Sequence, residues 1–211
     1  MIKAILLDFG GVYMDSPFQA VSDIAVETGV EPTLLKNIIF GDYHQDGQHP
    51  WHQLERGEIS LEEAREGIIR EGQKHQLDTD IYQLFARFAT VERGLKTALL
   101  DKTLEWKERG LQLALVTNNI REFTGWQDLF PYPVDDVYHT ISDSSMLGIR
   151  KPDPAIYQHT LQALSVAPQQ ALFLDDYPSN VEAAVNLGIH GYIVADDIQP
   201  AIDWVEAQLA R

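Results

Sequence analysis

The chain has 211 residues, 45% of them hydrophobic, with 16 basic against 32 acidic side chains, a formal charge of -16 and no cysteine. These values fit a globular unit carrying a sizeable insert and exclude a disordered chain, a disulfide framework and thiolate metal sites. The negative balance argues against nucleic acid and anionic membrane surfaces as partners, because both select basic patches.

Ile2–Leu7 reads as a buried strand and delivers Asp8 into Phe9-Gly10-Gly11, where the backbone can close around the carboxylate. From about Phe18 to Val91 the pattern is helical throughout. Ser60 and Glu63 form a capping box, Leu61, Ala64, Ile68 and Ile69 follow at helical spacing, and Tyr82, Leu84, Phe85 and Phe88 mark a further helix. Leu95–Arg109, closed by Gly110, brings the chain back to a second strand, Leu111–Val116, which ends in Thr117-Asn118-Asn119. Val137–Ile141 is a weaker strand candidate. Arg150-Lys151-Pro152 leads into a helix, Asp153–Leu164, with Asp153 as its cap, Pro154 in the first turn, and Tyr157, Leu161 and Leu164 on one face. Ala171–Leu174 is a strand ending in Asp175-Asp176. Ser179–Leu187 is expected to open on a Ser179–Glu182 capping box and stop at Gly188, before a last strand at Tyr192–Ala195.

Short, nearly continuous apolar strands alternating with helices predict an α/β fold: a Rossmann-like three-layer core with a mainly parallel sheet covered on both faces. The insert is expected as an α-helical cap, residues 16–91, between core segments 1–15 and 92–211. No run approaches the ~18 apolar residues of a membrane span. The first strand is too short for a signal peptide, so a cytoplasmic location is expected. Oligomeric state stays open.

In an open α/β sheet, ligands bind at the carboxyl ends of strands. Here those ends carry Asp8, Thr117-Asn118 and Asp175-Asp176, with Lys151 ahead of a helix. Two strand tips ending in acid, with nothing basic beside either, ask for a divalent cation. A carboxylate nucleophile, a hydroxyl, an ammonium and an acid pair suit phosphoryl transfer, which demands positioning and charge neutralisation above all.

LLDFGGV, LVTNN, GIRKPDPAIYQ and LFLDDYPSNVEAAVNLGI, in that order, resemble the four motifs of the haloacid dehalogenase-like (HAD) hydrolase superfamily. The insert segment WHQLERGEIS is similar to a bacterial branch that includes α-D-glucose-1-phosphate phosphatase and is related to the phosphatase domain of soluble epoxide hydrolase. The resemblance implies Asp8 as nucleophile and magnesium ligand, the Gly10 carbonyl as a further ligand, Thr117 and Asn118 as phosphate-binding, and Lys151 as the charge clamp. It implies Asp176 as the direct ligand of the last motif, with Asp175 behind it, although both acids sit at the strand end. The implied activity is magnesium-dependent hydrolysis of a small phosphorylated metabolite, such as a hexose 1-phosphate, through an aspartyl phosphate.

One position departs from the pattern: most phosphatases of the superfamily carry a second Asp, as general acid–base, where this chain has Gly10. Such a group is worth ~10²–10⁴ in rate. Asp15, His44, His49 and His52 are substitutes among which the sequence does not choose. Two rivals follow, a metal-independent 2-haloacid dehalogenase and a non-catalytic phospholigand-binding protein. Phe40, Tyr43 and Trp51 could line a pocket or form the cap's own core, with the core favoured for at least one. His49 and His52 read as polar helix side chains rather than metal ligands, and Glu62, Glu63 and Glu66 as a solvated face.

Overall fold

The computed structural model describes residues 1–90 and 95–211, with the side chains of 87–90 also outside the described residues. The expected cap–core division at 91–92 and the Phe88 side chain therefore lie outside them. Among the described residues the sheet has five strands: β1 Ala4–Leu7, β2 Gln112–Thr117, β3 Thr140–Asp143, β4 Ala171–Asp175 and β5 His190–Ile193. All neighbours pair in parallel in the order β3-β2-β1-β4-β5, so β1 is central, with β2 and β4 on its two sides. The chain order reverses at β1, and a crevice opens beyond its carboxyl end.

Strand alternation feeds two cores. Ile5, Leu7, Leu113, Leu115, Leu172 and Leu174 face one side, under α6 (Thr97–Glu108) and α11 (Gln199–Leu209). Leu6, Ala114, Val116 and Phe173 face the other, under α9 (Pro154–Leu164) and α10 (Pro178–Asn186). Short helices α7 (Val134–Val137) and α8 (Ser144–Leu147) flank β3. A third apolar cluster joins α1 (Pro17–Thr28), α2 (Pro32–Phe40), α3 (Pro50–Glu55), α4 (Leu61–Lys74) and α5 (Ile81–Thr90), and it takes in Ile120 and Tyr177 from the strand-tip loops. Five helices thus form a layer over the carboxyl ends of the strands. Among the described residues no helix is long and apolar enough to cross a membrane.

The Ser60–Glu63 box is present in both directions, and Asp153 caps α9 by accepting from the Ala155 N–H. Three expectations need correction. The last strand is His190–Ile193 rather than Tyr192–Ala195: α10 passes so close that a Cβ at Gly191 would lie 2.6 Å from Val181, so the strand includes a glycine that breaks the apolar run. Val137 belongs to α7, and β3 continues through Ser142, whose buried hydroxyl is satisfied by Thr160 at 2.7 Å. Ser179 does not cap α10. That helix starts at Pro178 after Tyr177, and the Ser179 hydroxyl donates to the Tyr43 carbonyl, tying the helical layer to the sheet.

Candidate active site

β1 extends one residue beyond its ladder, as the Asp8 N–H donates to Leu174 O at 2.9 Å, and Asp8 Oδ1 accepts from the Phe9 N–H at 2.7 Å. Of the two glycines that follow, only Gly11 is sterically required. Its φ is +76°, and a Cβ there would fall 2.2 Å from the Asp176 carboxylate. A Cβ at Gly10 would meet only Pro17 Cδ, at 3.6 Å.

Lys151, 1% exposed, is 2.8 Å from Asp8 Oδ1 and 2.6 Å from Asp175 Oδ2, joining the two acid-bearing tips. Asn118 holds that lysine in place: its Oδ1 accepts from the Lys151 N–H at 2.8 Å and its Nδ2 donates to the Lys151 carbonyl at 3.1 Å. The Asn118 side chain is therefore committed to the lysine loop. Asn119 donates to Asp143 and ties β2 to β3. Thr117 ends β2, buried.

The two acids of the last motif differ sharply. Asp175 is fully buried and accepts from Lys151, from the Tyr177 N–H at 2.8 Å and from Asn180 Nδ2 at 3.0 Å. Asp175 thus also holds the start of α10. Asp176 is only partly buried and accepts from Ser16.

Ligand oxygens of Asp8, Asp175 and Asp176 lie within 4.8 Å of one another. Burial pushes the Asp8 carboxyl well above its ordinary range; Lys151 opposes this, while Asp175 and Asp176 add to it. Burial, reinforced by Asp175, pushes Asp176 up to about 6. Burial alone would lower the Lys151 ammonium, but Asp175 and Asp8 hold it above its usual value. Three carboxylates share one ammonium, an all-oxygen donor set short of positive charge, and this fits a hard divalent cation.

A cavity of about 80 Å³ opens on this cluster, with Asp8, Gly10, Asn118, Lys151, Asp176 and Asn180 on the strand-tip side. Its far wall comes from the helical layer: Phe18, Phe40, Tyr43, Trp51 and Glu55. Phe40, Tyr43 and Trp51 are also buried in that layer's own cluster, so they serve both as core and as lining. Thr117 and Asp175 do not line the cavity, nor do Asp15, His44, His49 or His52. Asp15 and His44 are exposed, and His49 Nδ1 accepts from the Trp51 N–H at the start of α3. His52 is 2% exposed, and burial, aided by Arg150, drives its imidazole down to about 3, so it stays neutral near pH 7. Glu62 and Glu66 do sit on a solvated face, paired with Arg65 and Arg70.

A second buried pair was not anticipated from the sequence. Arg150, fully buried, donates from Nε to Glu55 Oε2 at 2.7 Å and stacks 4.4 Å from the Tyr43 ring. Glu55 Oε1 accepts from Tyr43 O–H and Trp51 Nε1, and Tyr43 O–H accepts from Asn118 Nδ2 at 3.0 Å. The one local signal was Trp51 and Glu55 at i,i+4 on α3, where side chains meet.

The haloacid dehalogenase-like hydrolase family model matches residues 2–188. Mouse acyl-CoA dehydrogenase family member 10 is 32% identical over 98% of this chain, although the chain spans only 19% of that protein. A phosphoglycolate phosphatase of Psychrobacter arcticus is 28% identical, with 93% of this chain and 87% of the relative aligned. Among solved structures, a HAD-family enzyme of Bacteroides thetaiotaomicron, crystallised with magnesium and inorganic phosphate, shares the fold at TM-score 0.64 and 23% identity, covering 95% of this chain and 99% of the other. With the motif residues gathered at the tips of β1, β2 and β4 and the family match over most of its length, this chain belongs to the haloacid dehalogenase-like hydrolases.

Proposed function

We propose that the protein is a magnesium-dependent phosphatase of small phosphorylated metabolites, sugar phosphates such as hexose 1-phosphates among them, working through an aspartyl phosphate. The observation that carries this reading is the placement of Asp8 within one acid cluster while Lys151 bridges it to Asp175. We take residues 16–91 as a cap over a core of 1–15 and 92–211.

Asp8 and Asp176, with the Gly10 carbonyl, would hold the metal, and Asp175 would anchor Lys151 behind them. Magnesium, when bound, neutralises the acid cluster and the phosphoryl oxygens. Lys151 and the N–H groups beyond Thr117 neutralise and orient the remaining oxygens. An Asp8 oxygen attacks phosphorus, the bond to the ester oxygen breaks, and the leaving alkoxide takes a proton. Water then attacks the aspartyl phosphate, freeing inorganic phosphate and restoring the Asp8 carboxylate. With glycine at position 10, the proton comes from outside the usual position, and esters whose leaving group needs little protonation suffer least.

The test is phosphate release from a panel of monoesters with added magnesium. Asp8→Asn is expected to lose at least ~10⁴-fold in kcat, the scale of removing a nucleophile. Undiminished turnover in that variant, or in excess EDTA, would overturn the reading, and halide release from a 2-haloacid in excess EDTA would favour the metal-free dehalogenase chemistry.

A further inference from the structure

The far wall of the cavity carries an unusual charge balance. Among the described residues that line it, the sole cation is Lys151, already shared by Asp8 and Asp175. Arg150 lies nearby, but it is fully buried, engaged by Glu55 and Asp46 and absent from the lining. The wall opposite the strand tips is aromatic: Phe18, Phe40, Tyr43 and Trp51. Its carboxylate, Glu55, is satisfied by Tyr43, Trp51 and Arg150.

Among the described residues that line the cavity, one buried side-chain atom lacks a partner; Arg150 Nη2 is also unpartnered but belongs to a residue outside the lining. Asn180, 2% exposed, lines the cavity and donates from Nδ2 to Asp175 at 3.0 and 3.2 Å, which fixes its amide orientation and leaves Oδ1 as a buried acceptor with no hydrogen bond. An orphan acceptor favours a donor such as a hydroxyl and disfavours an anion. Charge points the same way. Asp8, Asp175, Asp176 and Glu55 are matched by Lys151, Arg150 and one divalent cation, and Lys96, bonded to the Gly11 carbonyl outside the lining, faces Asp15 and Asp196 as well as Asp176, so a phosphoryl group already leaves the enclosed space net negative. A second anion on the same ligand would meet uncompensated repulsion at low dielectric.

We propose that this cavity selects phosphate monoesters whose leaving group is uncharged and carries a hydroxyl, and rejects those bearing a carboxylate or a second phosphate. The inference rests on the phosphatase reading and names its substrate class. It separates this chain from its phosphoglycolate phosphatase relative, whose named substrate carries a carboxylate. The cavity volume of about 80 Å³, against ~10–15 Å³ for one water position, sets the scale: a phosphoryl group and a few further atoms fit before the helical layer has to move.

The test compares matched pairs by calorimetric titration of Asp8→Asn with magnesium present: 2-hydroxyethyl phosphate against phosphoglycolate, and hexose 1-phosphate against hexose 1,6-bisphosphate. Replacing Asp8 removes one negative charge and so biases the comparison against the proposal. The member of each pair without a second anionic group is expected to bind at least tenfold tighter. Equal affinities, the reverse order, or no binding by any of the four esters would overturn the inference. Phe18→Arg, which places a cation on the wall, is expected to shrink the preference at least threefold relative to Phe18→Gln; an unchanged ratio in the folded variant also counts against it. Phosphate release by the unsubstituted protein separates substrate selection from turnover. Release without discrimination breaks the substrate assignment alone, whereas discriminating binding without release breaks the phosphatase reading alone.

Discussion

Arg150 and Lys151 are adjacent in the chain and equally buried, yet their surroundings differ in one decisive way. Arg150 meets one buried carboxylate, Glu55, the partly exposed Asp46 at 3.4 Å and the face of Tyr43, so its charge is balanced within the chain. Lys151 meets Asp8 and Asp175 with Asp176 in the same cluster, so its surroundings stay net negative. The balanced pair joins the helical layer to the sheet through a contact spanning 95 residues of sequence. Burial, with the neighbouring acids adding to it, drives the Asp8 and Asp176 carboxyls upward, and the unbalanced cluster calls for positive charge from outside the chain. Buried ion pairs of similar geometry thus divide into a fastening and a reactive site according to whether charge is left over.

The contrast is open to attack from both sides. The largest expected effect is on the fastening: Glu55→Ala leaves buried Arg150 only the partly exposed Asp46, 3.4 Å away, as counter-charge and is expected to cost about 3 kcal/mol in denaturant unfolding, the lower end of the range for a broken buried pair. Replacing both partners, Glu55→Leu with Arg150→Met, is expected to recover most of that loss, because removing a buried pair together is often close to neutral. If the single and double variants are equally unstable, the pair is not acting as a balanced unit.

The reactive cluster is expected to respond to metal instead. Magnesium at a hundred times its Kd should stabilise the protein by about 2.7 kcal/mol, read as a rise in Tm that EDTA reverses and Asp176→Asn largely abolishes. The sign with pH follows from Asp176, whose carboxyl is pushed up to about 6. At pH 5 it is mostly protonated and binds a cation poorly; at pH 7.5 it is ionised. The magnesium-induced rise in Tm should therefore be larger at pH 7.5 than at pH 5, and a rise independent of pH would place the cation elsewhere.

The smallest effect concerns Gly10. Space for a side chain is present there, with Pro17 Cδ at 3.6 Å the nearest atom to an added Cβ. Gly10→Asp is expected to fold and to raise single-turnover release from alkyl phosphates at least about tenfold, a fraction of what a well-placed general acid supplies. An unchanged rate in the folded variant would show that room alone does not position the proton donor.

Much of the site was legible in the chain because the relevant signals are local. Asp8 follows an apolar run and precedes glycines, Asp175-Asp176 end another run, and KPDP opens a helix; parallel pairing then brings such tips to one edge whatever connects them. Capping by Ser60 and Asp153 was readable for the same reason, since donor and acceptor lie within three residues. Ser179 carried an equally local signal, but its hydroxyl is drawn to the Tyr43 carbonyl, a partner 136 positions away. Asn118 reads as a phosphate contact and lines the cavity, and only the structure shows that its side-chain amide also holds the Lys151 backbone. The two glycines after Asp8 look interchangeable in the sequence, and only the approach of Asp176 shows that Gly11 alone is required.

By itself, then, the sequence determined the strand periodicity, the acids and the lysine at the strand ends, and the motif order that marks the family. Each of these is set by neighbours a few residues apart. Tertiary structure decided which acid is locked to Lys151 and which stays partly open, which charge is balanced by Glu55, and how aromatic side chains close the cavity. Those outcomes depend on groups brought together over 24 positions for Lys151 and Asp175, 95 for Glu55 and Arg150 and 160 for Ser16 and Asp176, where burial and the count of opposing charges, rather than local spacing, fix each partner.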